Sequence, residues 1–127
     1  SDVCSSDLVV EDNRINQLVT KKIMEKNLYK CCVVDDGYEA LKILETEIFD
    51  IILMDINMPL LNGFETTRLI RNKNITTPII ALTAFDKAEI SEAAISAGMN
   101  DIIIKPFDQS KLFKAMSTLI YDAKNVG

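Results

Sequence analysis

The chain contains no histidine among its 127 residues. It therefore has neither a Ser-His-Asp nor a Cys-His nucleophile arrangement, and it lacks the commonest general base at neutral pH. Any reaction at this protein has to use carboxylates, a metal ion or a histidine that a partner supplies.

Cysteine is scarce and is not arranged for metal binding. Cys31 and Cys32 are adjacent, Cys4 stands alone, and no C-x-x-C pair exists. Without histidine, this spacing cannot supply a zinc site. We interpret the three cysteines as small core or surface residues of a protein in a reducing compartment.

Positive charge and long apolar runs are also in short supply. The 14 basic residues are outnumbered by 19 acidic ones, which gives a net charge of −5. Because no basic stripe is available to cover a phosphate backbone, direct nucleic-acid binding is not expected. No apolar run approaches the ~20 residues of a spanning helix, so we expect no membrane insertion and a cytoplasmic location.

The first seven residues do not resemble the start of a strand. They hold three serines, two aspartates and a cysteine in place of an apolar or alternating pattern. We interpret residues 1–7 as an atypical leader that need not be native, residues 8–122 as one domain and residues 123–127 as a C-terminal tail. No signal peptide fits, because a basic segment followed by a long apolar stretch is missing.

Beyond the leader, strand-like and helix-like patterns alternate. Five short apolar runs alternate with five segments in which apolar residues have helical spacing. This order predicts an α/β fold with one parallel sheet, covered on both faces through right-handed crossovers. The predicted strands are residues 8–10, 31–34, 51–54, 79–82 and 102–104. The first helix is predicted from the spacing of Ile15, Leu18, Val19 and Ile23.

Four of the predicted strands stop at a charged or hydroxyl-bearing residue. Glu11 and Asp12 follow the first strand, Asp55 the third, Thr83 the fourth and Lys105 the fifth. In an open parallel sheet, the carboxyl ends of the strands border a shared crevice where ligands bind. Carboxylates crowded there raise one another's pKa unless a cation joins them. The pattern therefore predicts a divalent metal ion beside a reactive aspartate.

The motifs around these residues resemble those of response-regulator receiver domains. They are E-D-N at 11–13, D-I-N-M-P-L-L-N-G at 55–63, A-L-T-A at 81–84, A-G-M-N-D at 97–101 and K-P-F at 105–107. The first and the last two of these motifs, with their neighbours, are most similar to receivers of hybrid sensor histidine kinases. The resemblance implies a flavodoxin-like (βα)5 fold with a doubly wound, five-stranded parallel sheet of order 2-1-3-4-5.

The resemblance also implies a two-component phosphoacceptor site. Asp55 would accept a phosphoryl group from the phosphohistidine of a sensor histidine kinase or a histidine phosphotransfer protein, while Lys105 and Thr83 would contact the phosphoryl oxygens. Mg²⁺, the implied cofactor, would be bound directly by the side chains of Asp12 and Asp55, directly or through water by Glu11, and by the backbone carbonyl of Asn57. The chain would thus catalyse its own phosphorylation and dephosphorylation without being a conventional enzyme.

Other positions would carry the switch. Thr83 would move toward the added phosphoryl group and draw Ala84, Phe85 and the next helix with it, which changes the surface of residues 86–122. The resemblance also implies a cis bond before Pro106 and a structural role for Gly63. The aromatic residue that often lies three positions before the lysine is Ile102 here, so we expect Thr83 and the loop after it to carry activation alone. Phe85 is expected to limit the water that hydrolyses the acyl phosphate.

Three other functional classes compete with this interpretation. A phosphorylation-independent interaction module, or pseudo-receiver, would keep the fold without the chemistry. A phosphohydrolase of the haloacid dehalogenase type would need a second catalytic aspartate where Asn57 stands, and a flavin site would need a glycine-rich or hydroxyl-rich phosphate cradle after the first strand. Asp35 and Asp36 are assigned to a solvated turn, because strand 2 lies at the sheet edge. A homodimer formed on phosphorylation and a membrane tether through other domains of a hybrid kinase are left open.

Overall fold

The computed structural model of the protein describes residues 6–125. The predictions for residues 1–5 and 126–127, Cys4 included, lie outside this range. In chain order the elements are β1 (Asp7–Val10), α1 (Arg14–Lys26), β2 (Cys31–Val34), α2 (Gly37–Ile43), β3 (Ile51–Asp55), α3 (Gly63–Asn72), β4 (Ile79–Thr83), α4 (Lys87–Ala97), β5 (Asp101–Ile104) and α5 (Gln109–Asn125). β1 begins one residue inside the segment interpreted as a leader, and α5 extends into the predicted tail.

The five strands form one parallel sheet in the order β2-β1-β3-β4-β5. This confirms the predicted flavodoxin-like topology. The order reverses at β1, which is paired with β2 on one side and β3 on the other. A crevice at the carboxyl end of β1 and β3 is where such a sheet places a ligand.

Neighbouring residues of each strand point to opposite faces of the sheet, and helices cover both faces of the central strands. Leu8, Val10 and Ile52 belong to a cluster that also contains side chains of α2, α3 and α4. Val9 and Leu53 belong to a second cluster, which contains side chains of α1 and α5. This two-sided burial holds the central strands, and therefore their carboxyl ends, in fixed positions.

Polar caps begin the helices that follow the strands. The side chains of Asn13, Asp36, Asn62 and Asp86 each accept a backbone N–H of the first turn. Because Asn13 caps α1, the carboxylate of Asp12 is not used as the N-cap acceptor. At the other end of α4, Gly98 has a φ of 106°, as expected for a glycine that ends a helix.

Helix α1 is present as predicted, but three of the four apolar residues that predicted it lie outside its buried face. Ile15, Leu18 and Val19 are 71%, 53% and 49% exposed. The buried side chains of α1 are Gln17, Thr20 and Met24. The helix therefore presents an apolar strip to solvent and places an amide group in the interior. No helix between residues 6 and 125 is long and apolar enough to cross a membrane.

Asp7 is an unusual first residue for a buried strand. Only 1% of its surface is exposed, and its Oδ2 has no hydrogen-bond partner among residues 6–125. Burial, together with the nearby charge of Asp50, raises the pKa of Asp7 to about 7. Burial of this carboxylate in its charged form therefore opposes the pairing of this end of β1.

Candidate functional site

Glu11 and Asp12 follow β1 and have different environments. Glu11 is 1% exposed, its backbone N–H donates to Val34 O at 3.1 Å, and its Oε2 accepts the Asn13 N–H at 3.1 Å. Asp12 is exposed. The pair therefore combines an oriented interior carboxylate with one that solvent can reach.

Asp55 is the last residue of β3 and is 5% exposed. Its Oδ1 accepts the backbone N–H of Asn57 at 3.2 Å. Burial raises the pKa of Asp55 to about 7; the charge of Glu11 adds to this rise, and Lys105 opposes it. The carboxyl group therefore lies where added positive charge would favour its ionised form.

The loop after Asp55 returns against the strand end, and Gly63 makes this possible. The Gly63 N–H donates to Ile56 O at 3.0 Å. A Cβ atom at position 63 would lie 2.5 Å from Asp55 O and 2.8 Å from Ile56 Cα. Any larger residue would have to displace the backbone that carries Asp55.

The carboxylates of Glu11, Asp12 and Asp55 form one cluster. One oxygen from each side chain lies within 4.8 Å of the other two. Hard oxygen ligands in this number suit Mg²⁺, which is usually held by one or two carboxylates while its other positions remain open to water and phosphate. The residues present therefore fit a divalent cation, and the exposed Asp12 gives it access. The role of the Asn57 carbonyl stays a prediction.

Lys105 brings an ammonium group from β5 into the same cluster. Its Nζ lies 2.9 Å from Glu11 Oε1 and 3.7 Å from Asp55 Oδ1. Its backbone N–H donates to Thr83 O at 2.7 Å, and the bond to Pro106 is cis, as predicted. Lys105 therefore lies beside the predicted phosphoacceptor Asp55, but its closer partner is Glu11.

The remaining predicted switch residues surround the end of β4. Thr83 is 1% exposed, and its Oγ1 accepts the Phe85 N–H at 3.0 Å. Ala84 is exposed, and Phe85 is 44% exposed. Ile102 is 7% exposed and belongs to the cluster between the sheet and α2, α3 and α4. The hydroxyl group of Thr83 is thus directly coupled to the backbone of the next loop.

One polar residue at this site was not identified from the sequence. The amide group of Gln17 donates to the backbone carbonyl of Glu11 at 2.5 Å and to Asp35 Oδ1 at 2.7 Å. Asp36 caps α2, and neither Asp35 nor Asp36 belongs to the carboxylate cluster. A glutamine between the apolar positions of an amphipathic helix is the only signal that the sequence offered for this contact.

An α/β sheet of order 2-1-3-4-5 with an acidic cluster and a lysine at its carboxyl edge defines a receiver-type signalling domain. The family model of the response regulator receiver domain matches residues 8–117. The chain belongs to this family.

Several curated relatives are sensor kinases, and the chain matches a small part of each. It is 38% identical over 118 residues to the CAI-1 autoinducer sensor kinase/phosphatase CqsS of Vibrio cholerae serotype O1, a match that covers 89% of this chain and 17% of CqsS. It is 36% identical over 110 residues to the sensor histidine kinase GacS of Pseudomonas protegens, which covers 83% of this chain and 12% of GacS.

Solved receiver structures share the fold over almost their whole length. The receiver domain of sensor histidine kinase PA1611 from Pseudomonas aeruginosa PAO1 has a TM-score of 0.84 and 37% identity, with 93% of this chain and 98% of that chain covered. That structure contains a magnesium ion coordinated in its active-site cleft. The chemotaxis protein CheY4 of Vibrio cholerae also has a TM-score of 0.84, at 27% identity, with 92% and 99% covered.

Proposed function

We propose that this chain is a phosphoacceptor receiver domain in which Asp55 accepts a phosphoryl group from a partner's phosphohistidine. The observation that carries the proposal is the convergence of three carboxylates and one ammonium group on a single crevice, with Lys105 Nζ 3.7 Å from Asp55 Oδ1. Family membership and the magnesium-containing relative support it.

Glu11, Asp12 and Asp55 would hold Mg²⁺ through carboxylate oxygens, with the Asn57 carbonyl as a further ligand. When bound, the ion supplies positive charge that offsets the repulsion within the cluster and the charge of the incoming phosphoryl group. Because phosphoryl transfer depends mainly on alignment and charge neutralisation, the absence of a histidine base in this chain is no obstacle.

In the proposed transfer, a carboxylate oxygen of Asp55 forms a P–O bond while the P–N bond of the donor phosphohistidine breaks. The leaving imidazole nitrogen keeps the electron pair of that bond. Lys105 neutralises one phosphoryl oxygen, and the Thr83 hydroxyl donates a hydrogen bond to another. Thr83 ends β4 and Lys105 follows the neighbouring strand β5, so both residues lie at the same edge of the sheet as Asp55.

We infer that Thr83 carries the conformational signal. The Thr83 hydroxyl that would turn toward the phosphoryl group also accepts the Phe85 N–H at 3.0 Å, so its rotation would change the loop after β4. Ile102 is packed in the core and has no polar group with which to follow that movement. The changed surface would then be the one built from α4, β5 and α5.

The exposed apolar strip on α1 suits the partner that delivers the phosphoryl group. A groove beside it is lined by Val19, Ile23, Pro106 and Phe107, and Lys105 also borders this groove. A histidine phosphotransfer helix that covers the groove would therefore lie directly beside the phosphoacceptor crevice. Kinases in which the receiver is one domain, such as those the chain matches, would supply such a partner within the same protein or between proteins.

Intact-mass measurement after incubation with Mg²⁺ and acetyl phosphate tests the proposal. We expect the wild type to gain one phosphoryl group and Asp55→Asn to gain none. Asp36→Asn is the matched control, because it changes another aspartate near a strand end but keeps the helix cap of α2.

Equal phosphorylation of the wild type and Asp55→Asn would refute the assignment of the acceptor. If neither acetyl phosphate nor a phosphorylated histidine phosphotransfer protein phosphorylates the wild type, the phosphorylation-independent interaction module is favoured instead.

A further inference from the structure

We propose that Gln17 is a positioning residue for the metal-binding carboxylates, and that Asp35 anchors it. The inference rests on the proposed function, since it concerns the same crevice. Gln17 lies on α1, outside the strand ends that supply Glu11, Asp12 and Asp55.

The two hydrogen bonds of the Gln17 amide join separate parts of the chain. One goes to the backbone carbonyl of Glu11 and is buried; the other goes to Asp35, 18 residues away, after β2. Both bonds are made by the same Nε2 atom, so the side chain bridges the ends of β1 and β2. Gln17 is itself only 9% exposed, which leaves its amide little access to water as an alternative partner.

The Glu11 carbonyl is the last backbone acceptor before Asp12, so its position governs both acidic residues. The Glu11 N–H is already held by Val34 O at 3.1 Å, and the Glu11 side chain is held by Asn13 N–H and Lys105. Gln17 holds the Glu11 carbonyl, which lies on the other side of the Glu11 Cα and belongs to the peptide unit between Glu11 and Asp12. Without this hydrogen bond, the peptide between Glu11 and Asp12 would be free to rotate. The carboxylate oxygens would then no longer be directed at one metal position.

Asp35 explains why a glutamine, rather than an apolar residue of equal size, is useful at position 17. Its Oδ1 accepts the Gln17 amide, and its backbone N–H donates to Glu39 Oε1 at 2.7 Å. The anchor is therefore itself tied to α2. The bridge fixes the amide with its donor directed at the Glu11 carbonyl, which a flexible side chain alone would not do.

The main experiment compares Mg²⁺ affinity in the wild type and Gln17→Met by isothermal titration calorimetry without a phosphodonor. Methionine has a similar size but no donor. We expect the dissociation constant to rise about 10-fold, the lower end of the range found when groups that orient metal ligands are removed. Met24→Ala controls for destabilisation, because Met24 is a fully buried residue of the same helix that belongs to the hydrophobic cluster with α5 and not to the carboxylate cluster.

Two Asp35 variants separate the hydrogen bond from the charge. Asp35→Asn and Asp35→Ala both remove a negative charge near the crevice, but only asparagine keeps an acceptor for the Gln17 amide. We expect Asp35→Ala to weaken Mg²⁺ binding more than Asp35→Asn does. Equal effects would assign the Asp35 contribution to charge and overturn its role as an anchor.

Hydrogen exchange of the Asn13 amide gives a readout that needs no metal. We expect faster exchange in Gln17→Met than in Met24→Ala, because the Asn13 N–H is bonded to Glu11 Oε2. The inference is overturned if Gln17→Met binds Mg²⁺ as the wild type does, or if Met24→Ala weakens binding equally. A wild type that binds no Mg²⁺ would refute the proposed function; unchanged Asn13 exchange in Gln17→Met would then overturn this inference separately.

Discussion

Replacing Asp7 by asparagine should stabilise the protein most strongly at alkaline pH. Asp7 has a folded-state pKa of about 7 against 3.8 for the unfolded chain. Between these values the unfolded chain releases a proton that the folded protein retains, so the free energy of unfolding falls as pH rises. Above about pH 7 both states are ionised and the penalty is constant.

The size of the effect follows from the same shift. One pKa unit corresponds to about 1.4 kcal/mol, which sets an upper limit of about 4 kcal/mol for the penalty above the folded-state pKa. Relaxation of the folded protein around the ionised carboxylate offsets part of this penalty. We therefore expect the stability difference between Asp7→Asn and the wild type to grow by about 1 to 3 kcal/mol between about pH 5 and about pH 8.

Urea denaturation of both proteins at the two pH values measures this difference. Groups that titrate in both proteins cancel in the comparison. Asp50→Asn is a graded control, because it removes only the neighbouring charge, the smaller of the two causes of the shift; its pH-dependent gain should be smaller. A difference that does not change with pH would refute the reasoning.

Three further predictions concern the crevice. Gly63→Ala should abolish phosphorylation of Asp55 by acetyl phosphate and destabilise the protein by about 1 to 3 kcal/mol, because the new Cβ would overlap Asp55 O and Ile56 Cα. A variant that is phosphorylated in the intact-mass assay and as stable as the wild type in denaturation would contradict this. Phe85→Ala should lose its phosphoryl group faster than the wild type in a mass-spectrometric time course, since less bulk would shield the acyl phosphate from water; an unchanged rate would remove this role. Addition of Mg²⁺ and beryllofluoride should shift the amide NMR signals of Thr83 and Phe85 more than that of Ile102; a large shift at Ile102 would show that the β5 side chain takes part in the switch.

The architecture could be predicted because four of the five apolar β runs end abruptly at a polar residue of the crevice. Asp55 and Thr83 follow uninterrupted apolar segments, and in a parallel sheet the chain direction alone sends both to the same edge. Gly98 ends α4 and Asn62 begins α3 through local backbone geometry. Features of this kind depend on neighbouring residues in the sequence, so they can be predicted without knowing how distant parts of the chain pack.

Contacts between distant side chains could not be predicted in the same way. The preference of Lys105 for Glu11 over Asp55 depends on a difference of 0.8 Å, from 2.9 to 3.7 Å, which rotamers decide. The spacing of Ile15, Leu18 and Val19 indicated a helix but not whether its apolar side faces the core or solvent. A face that packs in the core and a face that binds a partner have the same hydropathy. The burial of Gln17 on the opposite side of α1 could therefore not be predicted from the spacing of apolar residues.

The ion pair between Glu11 and Lys105 joins residues separated by 94 positions. A nascent chain therefore holds one half of this pair long before the other has been synthesised, and any fragment that ends before residue 105 has carboxylates but no counter-charge. Contacts of such long sequence separation form late and slow the search for the native topology. Under the proposed function, the chain could therefore accept a phosphoryl group only after β5 has joined the sheet. An incompletely folded chain would not be phosphorylated and so would give no false signal.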